Sequence, residues 1–339
     1  MSFLKAHIKH ISYYLPKKTF SNDDFFSIFP ESKQKIDTFN KIGIKKRHIV
    51  SDGELASDLA VKSAQKLFDE YDIDITSIDF VLFCAQEFDY FTPTTACVIH
   101  ERLNLSKNCG ALDFNLGCSG YAYGLSLAKG LIEGVGLKNV LLLTASTLTR
   151  KVHPKDKSLR FLFGDAACAT LISSRADDGI HNFVFGTDGA GAETIMVKDG
   201  GSRNKIEIGS HDEIIDDFGN ITSRAHMNMN GVSVFSFSVK TVPNLINEIL
   251  AKNNKELSEI DLFIFHQANL FIIETIRKKM NIPEHKVFNY IELVGNTVSS
   301  SIPIALSEAI KCDKAKNGDR VLLVGFGVGL SWSGTIITL

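Results

Sequence analysis

The 339-residue sequence lacks three features that would each define a class of protein. It has no uninterrupted apolar run of about 18 residues, which argues against a transmembrane helix, and its first residues lack the apolar segment of a secretory signal. Its six cysteines include no Cys-X-X-Cys pair, so neither a disulfide framework nor a zinc site is indicated. Its net charge of −2 leaves no basic surface for nucleic acid or an anionic membrane. We therefore expect a globular, cytoplasmic protein with small-molecule or protein substrates.

The most informative residue that is present is Cys118. It lies in Leu116-Gly117-Cys118-Ser119-Gly120, where an apolar strand pattern ends and a helix of small residues begins. A helix N-terminus stabilises a thiolate and lowers the thiol pKa, which predicts a nucleophile. The other five cysteines lie in apolar runs or beside loop signals, where a cysteine is usually a small buried residue.

Two segments of the chain read alike. Ile78–Gln86 matches Ile260–Ala268, and each reads as a buried strand that opens into a loop. Cys118 lies 40 residues after Ile78 (118 − 78), and Asn296 lies 36 residues after Ile260 (296 − 260). Chance similarity remains an alternative, but a duplicated βαβαβ unit is the simpler explanation. The prediction is an α/β fold with five layers, α/β/α/β/α, built from an N-terminal half (1–175) and a C-terminal half (176–339).

Such a duplication brings strand ends and helix starts of both halves to one face. Cys118, His266 and Asn296 would then share a pocket suited to acyl transfer, with a thiol nucleophile and hydrogen-bond donors for an oxyanion. The glycine-rich segment 325–329 would add backbone N–H donors. His266 taken alone could equally be a structural histidine, and Asn296 could be a helix cap.

Six motifs in this order resemble the β-ketoacyl-acyl-carrier-protein synthase III family of the thiolase superfamily. They are Gly43–Ile49, the Cys118 segment, Phe163–Ala167, His266–Asn269, Gly295–Thr297 with Ser301–Pro303, and Phe326–Gly329. The resemblance implies a homodimeric condensing enzyme that loads an acyl group on Cys118 and condenses it with a malonyl-carrier thioester. His266 and Asn296 would stabilise the enolate, and the N–H groups of Cys118 and Val328 would form the oxyanion hole. Acyl and malonyl thioesters are its expected substrates and acyl carrier protein its partner; no metal or other cofactor is expected.

The chain departs from the family at positions that bear on its substrates. The tryptophan that stacks on the coenzyme A adenine has no counterpart, and the position of its partner arginine corresponds to Lys157. Phe271 replaces an arginine that helps to dock the acidic carrier. The expected substitutes are the basic residues Lys45, Lys46, Arg47, Arg277, Lys278 and Lys279, which could equally form an ordinary solvated surface. Thr92 replaces the phenylalanine that narrows the acyl pocket across the dimer interface.

Two alternatives remain open on the sequence alone. The first is an acyltransferase of the same fold that moves an acyl group from Cys118 to an amine or a hydroxyl, with His266 as general base. The second is a catalytically silent partner subunit, which the presence of both Cys118 and His266 disfavours.

Overall fold

The computed structural model describes residues 4–177, 179–216 and 219–339. Its strands are Lys5–Tyr14 (β1), Thr19–Ser21 (β2), Lys46–His48 (β3), Phe80–Ala85 (β4), Gly110–Asn115 (β5), Asn139–Ser146 (β6), Ala166–Arg175 (β7), Val184–Thr187 (β8), Ile195–Met196 (β9), Ile214–Ile215 (β10), Ile221–Thr222 (β11), Asn228–Met229 (β12), Leu262–Phe265 (β13), Arg320–Gly327 (β14) and Ser331–Thr338 (β15). Its α-helices are Asn22–Ile28 (α1), Ile36–Ile42 (α2), Ala56–Tyr71 (α3), Thr95–Arg102 (α4), Gly120–Gly130 (α5), Leu159–Leu162 (α6), Gly231–Lys252 (α7), Leu270–Lys279 (α8) and Ser301–Lys311 (α9).

Two main sheets carry the fold. The first has the strand order β1-β7-β6-β4-β5 and the second has the order β13-β14-β15-β8. In the first sheet, β4 is parallel to β6, β6 is antiparallel to β7, and β7 is antiparallel to β1. The second sheet repeats this pattern, because β13 is parallel to β14, β14 antiparallel to β15, and β15 antiparallel to β8. The two segments that read alike in the sequence, around β4 and β13, therefore occupy corresponding strands.

Helices α5 and α9 lie between the two sheets and form the central layer. One buried cluster joins them to both sheets, with Tyr121 and Leu125 from α5, Ile302 from α9, Leu142 from the first sheet and Leu323 from the second. Such a helix needs small or apolar side chains on all its faces, since it packs against a sheet on each side. Gly124 shows how close the packing is, because a Cβ atom there would lie 2.6 Å from Leu142 Cδ1.

The outer layers complete the predicted five-layer arrangement. Helices α3 and α4 cover the outer face of the first sheet, and α7 and α8 cover the outer face of the second. The α/β/α/β/α fold is thereby confirmed. No helix in the described ranges is long and apolar enough to cross a membrane.

Candidate active site

Cys118, His266 and Asn296 line one narrow cavity of about 50 Å³. Cys118 lies in the turn between β5 and α5, His266 directly follows β13, and Asn296 precedes α9. The three positions come from both sheets, and the central layer brings them to one face. The rest of the wall is mostly apolar and includes Leu148, Leu162, Phe163, Ile195, Met227, Met229, Val234, Ile272, Val298 and Phe326.

The thiol of Cys118 is buried against the glycine-rich segment at the end of β14. A Cβ atom at Gly327 would lie 2.8 Å from Cys118 Sγ, so only glycine permits this approach. The backbone N–H groups of Val328 and of Cys118 itself donate toward the sulfur. These are the two donors predicted for the oxyanion hole.

The predicted lowering of the Cys118 pKa is wrong for the structure. Burial raises the pKa of the thiol to about 12, and the hydrogen bonds from the Val328 and Cys118 backbones only partly oppose that effect. The reason is the absence of compensating charge: no cationic side chain contributes to the shift, and desolvation disfavours the thiolate. Attack by sulfur at neutral pH therefore requires a group that accepts the thiol proton.

His266 lines the same cavity as a neutral imidazole. Burial lowers its pKa to about 3, with a weaker opposing effect from a hydrogen bond to the Val298 backbone, so the imidazole is neutral at physiological pH. Its Nδ1 lies 2.7 Å from Ser301 Oγ, which also accepts a 3.2 Å hydrogen bond from the Gln267 N–H. The ring is therefore held in one orientation by α9.

The backbone of Asn296 is tied to the N-terminal half of the chain. Its N–H donates to the Leu162 carbonyl at 2.9 Å, and its carbonyl accepts from the Gly164 N–H at 3.0 Å. The side-chain Oδ1 accepts from the Val298 N–H at 2.9 Å, while Nδ2 donates to the Ala268 carbonyl at 3.4 Å. An amide nitrogen has two donors, so one Nδ2–H has no partner among the described residues and remains available to the cavity.

Val298 orients both groups from an unusual backbone conformation. Its φ of +54° is left-handed, which is rare and unfavourable for a β-branched residue. In this conformation its N–H binds Asn296 Oδ1 and its backbone interacts with His266. Local strain is thus tolerated where it fixes two polar groups of the cavity.

Sequence reasoning missed the roles of Ser301, Val298 and Gln86. Ser301 stands inside a quoted motif without an assigned role, and its spacing to His266 becomes meaningful only once α9 packs beside β13. Gln86 lines the cavity directly after β4, and its Oε1 would lie 2.8 Å from a Cβ atom at Gly117. Its position at a strand end next to the cysteine turn was the available signal.

The prediction that Arg47 helps to dock the carrier protein is wrong. Arg47 lies in β3 with a relative exposure of 0%. Its guanidinium donates to the carbonyls of Phe20 and Phe161 at 3.1 and 2.8 Å and to Asn22 Oδ1 at 3.0 Å. Arg47 is therefore a buried structural cation that no carrier protein can contact.

The remaining basic candidates differ in how free their charges are. Lys45 forms a 2.7 Å ion pair with Glu292, and Arg277 forms one at 2.8 Å with Glu274. Lys278 is exposed on α8 with no ion pair in the described part of the chain. Lys46 is half-buried in β3, and Lys279 donates to the Val239 carbonyl at 2.9 Å.

Three further positions singled out in the sequence lie apart from the cavity. Thr92 is exposed and does not line the Cys118 cavity of its own chain, so its predicted action across an interface stays a prediction. Lys157 forms a 2.6 Å ion pair with Glu31. Phe271, at the start of α8, stacks on Phe235 at a ring-centroid distance of 5.3 Å and leaves an apolar surface where the family has an arginine.

The cavity contains no side-chain arrangement that suggests a metal. Within residues 4–177, 179–216 and 219–339, no three His, Cys, Asp or Glu side chains are grouped closely enough to hold a metal ion. The chemistry available to this site is that of a thiol, a neutral imidazole, an amide and backbone N–H donors.

Comparisons with known proteins agree on one family. Residues 112–189 match the model for 3-oxoacyl-[acyl-carrier-protein (ACP)] synthase III, and residues 250–339 match the model for the C-terminal part of the same enzyme. A β-ketoacyl-[acyl-carrier-protein] synthase III from Clostridium tetani is 36% identical over 326 residues, covering 96% of this chain and 95% of that protein.

Solved structures show the same relationship. A 3-oxoacyl-(acyl-carrier-protein) synthase III is 43% identical with a TM-score of 0.96, covering 99% of this chain and 100% of the other. A priming β-ketosynthase from the R1128 polyketide biosynthetic pathway is 27% identical with a TM-score of 0.86, covering 99% and 96%.

Proposed function

This chain belongs to the 3-oxoacyl-[acyl-carrier-protein] synthase III family of condensing acyltransferases, and on that premise we propose that Cys118, His266 and Asn296 perform a decarboxylative Claisen condensation. The observation that supports the proposal is the meeting of these three groups in one apolar cavity, with two backbone N–H groups directed at the cysteine sulfur. The substrates are an acyl thioester and a malonyl-carrier thioester, as in fatty-acid or specialised acyl biosynthesis.

The first half-reaction loads the acyl group. The Cys118 sulfur attacks the thioester carbonyl, and the N–H groups of Cys118 and Val328 bind the developing oxyanion. Collapse of this intermediate breaks the carbon–sulfur bond of the donor, and the departing thiolate takes up the proton that the Cys118 thiol gives up. The products are a free thiol and an acyl thioester on Cys118, and His266 stays neutral throughout.

The second half-reaction forms the carbon–carbon bond. The His266 ring and the available Nδ2–H of Asn296 donate hydrogen bonds to the thioester carbonyl of the malonyl group, which stabilises the enolate left when carbon dioxide departs. The enolate carbon attacks the acyl carbonyl on Cys118, the carbon–sulfur bond breaks, and the departing Cys118 thiolate takes a proton from solvent. A cavity of about 50 Å³ with mostly apolar walls limits the water that would otherwise hydrolyse the acyl-enzyme.

Plain acyl transfer to an amine or a hydroxyl is not favoured. It needs no enolate stabiliser, whereas the Asn296 side chain is held by two hydrogen bonds and its backbone by two more.

The test separates the two half-reactions. We expect intact-protein mass spectrometry to show one acyl addition on wild type, none on Cys118→Ala, and the normal addition on Cys97→Ala, a matched control at an exposed cysteine. The Asn296→Ala variant should still accept the acyl group but release carbon dioxide from malonyl-carrier protein at least 100-fold more slowly. Normal decarboxylation by Asn296→Ala would refute its assigned role.

We also propose how the chain divides into two halves, where the carrier protein docks and where the enzyme is located. Residues 1–175 and 176–339 are the two halves of the duplication, which the repeated strand pattern supports. The exposed Lys278, with Arg277 on the same helix and with Lys45, is the basic surface for an acidic carrier. Six unpaired cysteines favour a cytoplasmic location, and the reaction needs no metal or redox cofactor.

A homodimer is proposed from the edge of the first sheet. Strand β5 ends the sheet, and Leu112 on it is 43% exposed. The adjoining connector presents Phe91 with 90% exposure. An open strand edge beside exposed apolar side chains favours pairing with a second copy, and Thr92 would then reach the acyl pocket of the partner.

A further inference from the structure

A second cavity of about 480 Å³ lies behind the wall of the active site. Phe163 lines both cavities. The volume is within the range of small-molecule sites, about 300–1,000 Å³. The reaction proposed above uses none of the space in this second cavity, which we call the arginine cavity. Its lining consists of Lys18, Phe20, Ile49, Val50, Ser51, Asp52, Gly53, Thr149, Arg150, Val152, Leu159, Arg160 and Phe163.

Arg160 carries a charge that no salt bridge in the described ranges neutralises. Its Nε is buried and has no hydrogen-bond partner in the described ranges, and no carboxylate there forms a salt bridge with it. Its guanidinium lies over the ring of Phe20, 5.2 Å from the centroid. The Asp156 carboxylate opposes only part of the effect of burial, which lowers the Arg160 pKa, so this half-buried cation has lost hydration without gaining an ion pair.

A second guanidinium, that of Arg47, adds to the positive charge near Arg160. Arg47 lies over the same Phe20 ring at 5.6 Å, so both cations contact one aromatic side chain. The pKa of Arg47 is lowered to about 10 by burial and then by the charge of Arg160. Two like charges in a partly desolvated region repel each other, and an anion bound between Arg160 and solvent would relieve that repulsion.

The other charged groups of the lining are also predominantly basic. Lys18 and Arg150 are exposed at the rim, and Arg150 Nη1 donates to the Glu54 carbonyl at 2.9 Å. Asp52 is the acidic residue of the lining, and it is exposed. The Asp165 carboxylate lies behind the wall, where it accepts hydrogen bonds from the Val50 and Thr149 N–H groups.

The remaining surface of the arginine cavity is apolar. Phe20, Val50, Val152, Leu159 and Phe163 are buried side chains that form its floor and inner wall. A small hydrophilic anion would satisfy the arginines but leave this surface without a partner. An alkyl chain would fill it and gain the free energy of apolar burial.

We propose that the arginine cavity binds an amphiphilic anion, a carboxylate or phosphate monoester on an alkyl chain, with the head group on Arg160 and the chain against Phe20, Leu159 and Phe163. Arginine suits this head group because its planar fork donates two parallel hydrogen bonds to either oxyanion. The site is distinct from the Cys118 cavity and does not depend on the proposed condensation.

The test is isothermal titration calorimetry on the full chain with four probes: decanoate, decyl phosphate, inorganic phosphate and decanol. We expect saturable binding of decanoate, decyl phosphate or both, and at least tenfold weaker binding of phosphate and decanol. The two amphiphiles distinguish a carboxylate head group from a phosphate head group.

Variants assign the binding to this cavity. Arg160→Met should weaken amphiphile binding at least tenfold, and Lys18→Met, at an exposed rim position, at least threefold. Arg203→Met, at an exposed arginine outside the cavity, should bind as wild type does. Equal binding of decanol and decanoate, no saturation below 1 mM, or unchanged affinity in both Arg160→Met and Lys18→Met would overturn the proposal.

Discussion

At the scale of single residues, the cavity depends on groups that hold the reacting side chains. Ser301 is the clearest of these, since its hydroxyl oxygen lies 2.7 Å from Nδ1 of His266 and also accepts the Gln267 N–H. It touches no reacting atom in the proposed mechanism. Its role is to position the imidazole.

We expect Ser301→Ala to slow condensation about tenfold, which corresponds to roughly 1.4 kcal/mol for one lost hydrogen bond. Acylation of Cys118 should change less, because it relies on the backbone N–H donors. Rates of acyl loading and of carbon dioxide release measure the two steps. Ser307→Ala, another buried serine of α9, is the control. An equal loss in both steps would indicate general damage instead of positioning.

Glu87 is a residue whose charge opposes folding. Burial, with the neighbouring Asp165 carboxylate, raises the pKa of Glu87 to about 7 from an ordinary value of 4.5. Between these two pH values the folded protein binds more protons than the unfolded chain, so stability falls as the pH rises from 4.5 through 7.

The Glu87→Gln variant removes this charge. Its unfolding free energy at pH 8 should exceed that of wild type by about 1 kcal/mol, and the difference should shrink as the pH falls below 6. Urea unfolding at pH 8 and pH 5.5 measures both values. The variant Glu101→Gln, at an exposed position on α4, should show no such pH dependence. A constant difference across pH would contradict the assignment to ionisation.

At the scale of elements, the central helix α5 contains two glycines at which substitution by alanine should have opposite effects on stability. Gly124 faces Leu142, where a Cβ atom would lie 2.6 Å from Cδ1. Gly130 has ordinary helical angles (φ −61°, ψ −40°), and a Cβ atom there would meet nothing within 4 Å. The same substitution therefore tests packing at one position and backbone entropy at the other.

We expect Gly124→Ala to lower the free energy of unfolding by about 1–3 kcal/mol through overpacking. Gly130→Ala should raise it by about 0.5–1 kcal/mol, because alanine restricts the unfolded chain. Chemical denaturation measures both values in one series. If both variants were destabilised alike, the close contact between α5 and β6 would not be the cause.

Much of this element-level arrangement could be predicted from the sequence. The apolar runs at 80–85 and 262–265 are strands. The similar spacing from these runs to Cys118 and to Asn296 predicted that the two residues lie on one face of the fold. The pKa of Cys118 could not be predicted, because it depends on burial beneath β14 and on the absence of nearby cations. The burial of Arg47 was equally hidden, since its partners Phe20, Asn22 and Phe161 are brought together only by tertiary packing.

At the scale of the whole molecule, the proposed dimer makes a prediction about β5. Wild type should sediment as a dimer, and Leu112→Glu should shift it toward the monomer by placing a charge at the strand edge. Ile208→Glu, at a fully exposed apolar residue outside the first sheet, should leave the dimer unchanged. Sedimentation velocity at micromolar concentration distinguishes the two. A wild-type monomer would contradict the assignment of this edge.

The backbone bridge between Phe163 and Asn296 joins the two halves at the cavity. Cys118 follows a strand of the first sheet and His266 follows a strand of the second, so a slight separation of the sheets parts these two side chains before either sheet loses its own hydrogen bonds. The rate of enzymatic turnover therefore reports on small separations of the two sheets within the folded protein. In a denaturant series we expect activity to be lost at a lower denaturant concentration than the circular dichroism signal. The difference between the two midpoints measures how cooperatively the two halves of the fold unfold.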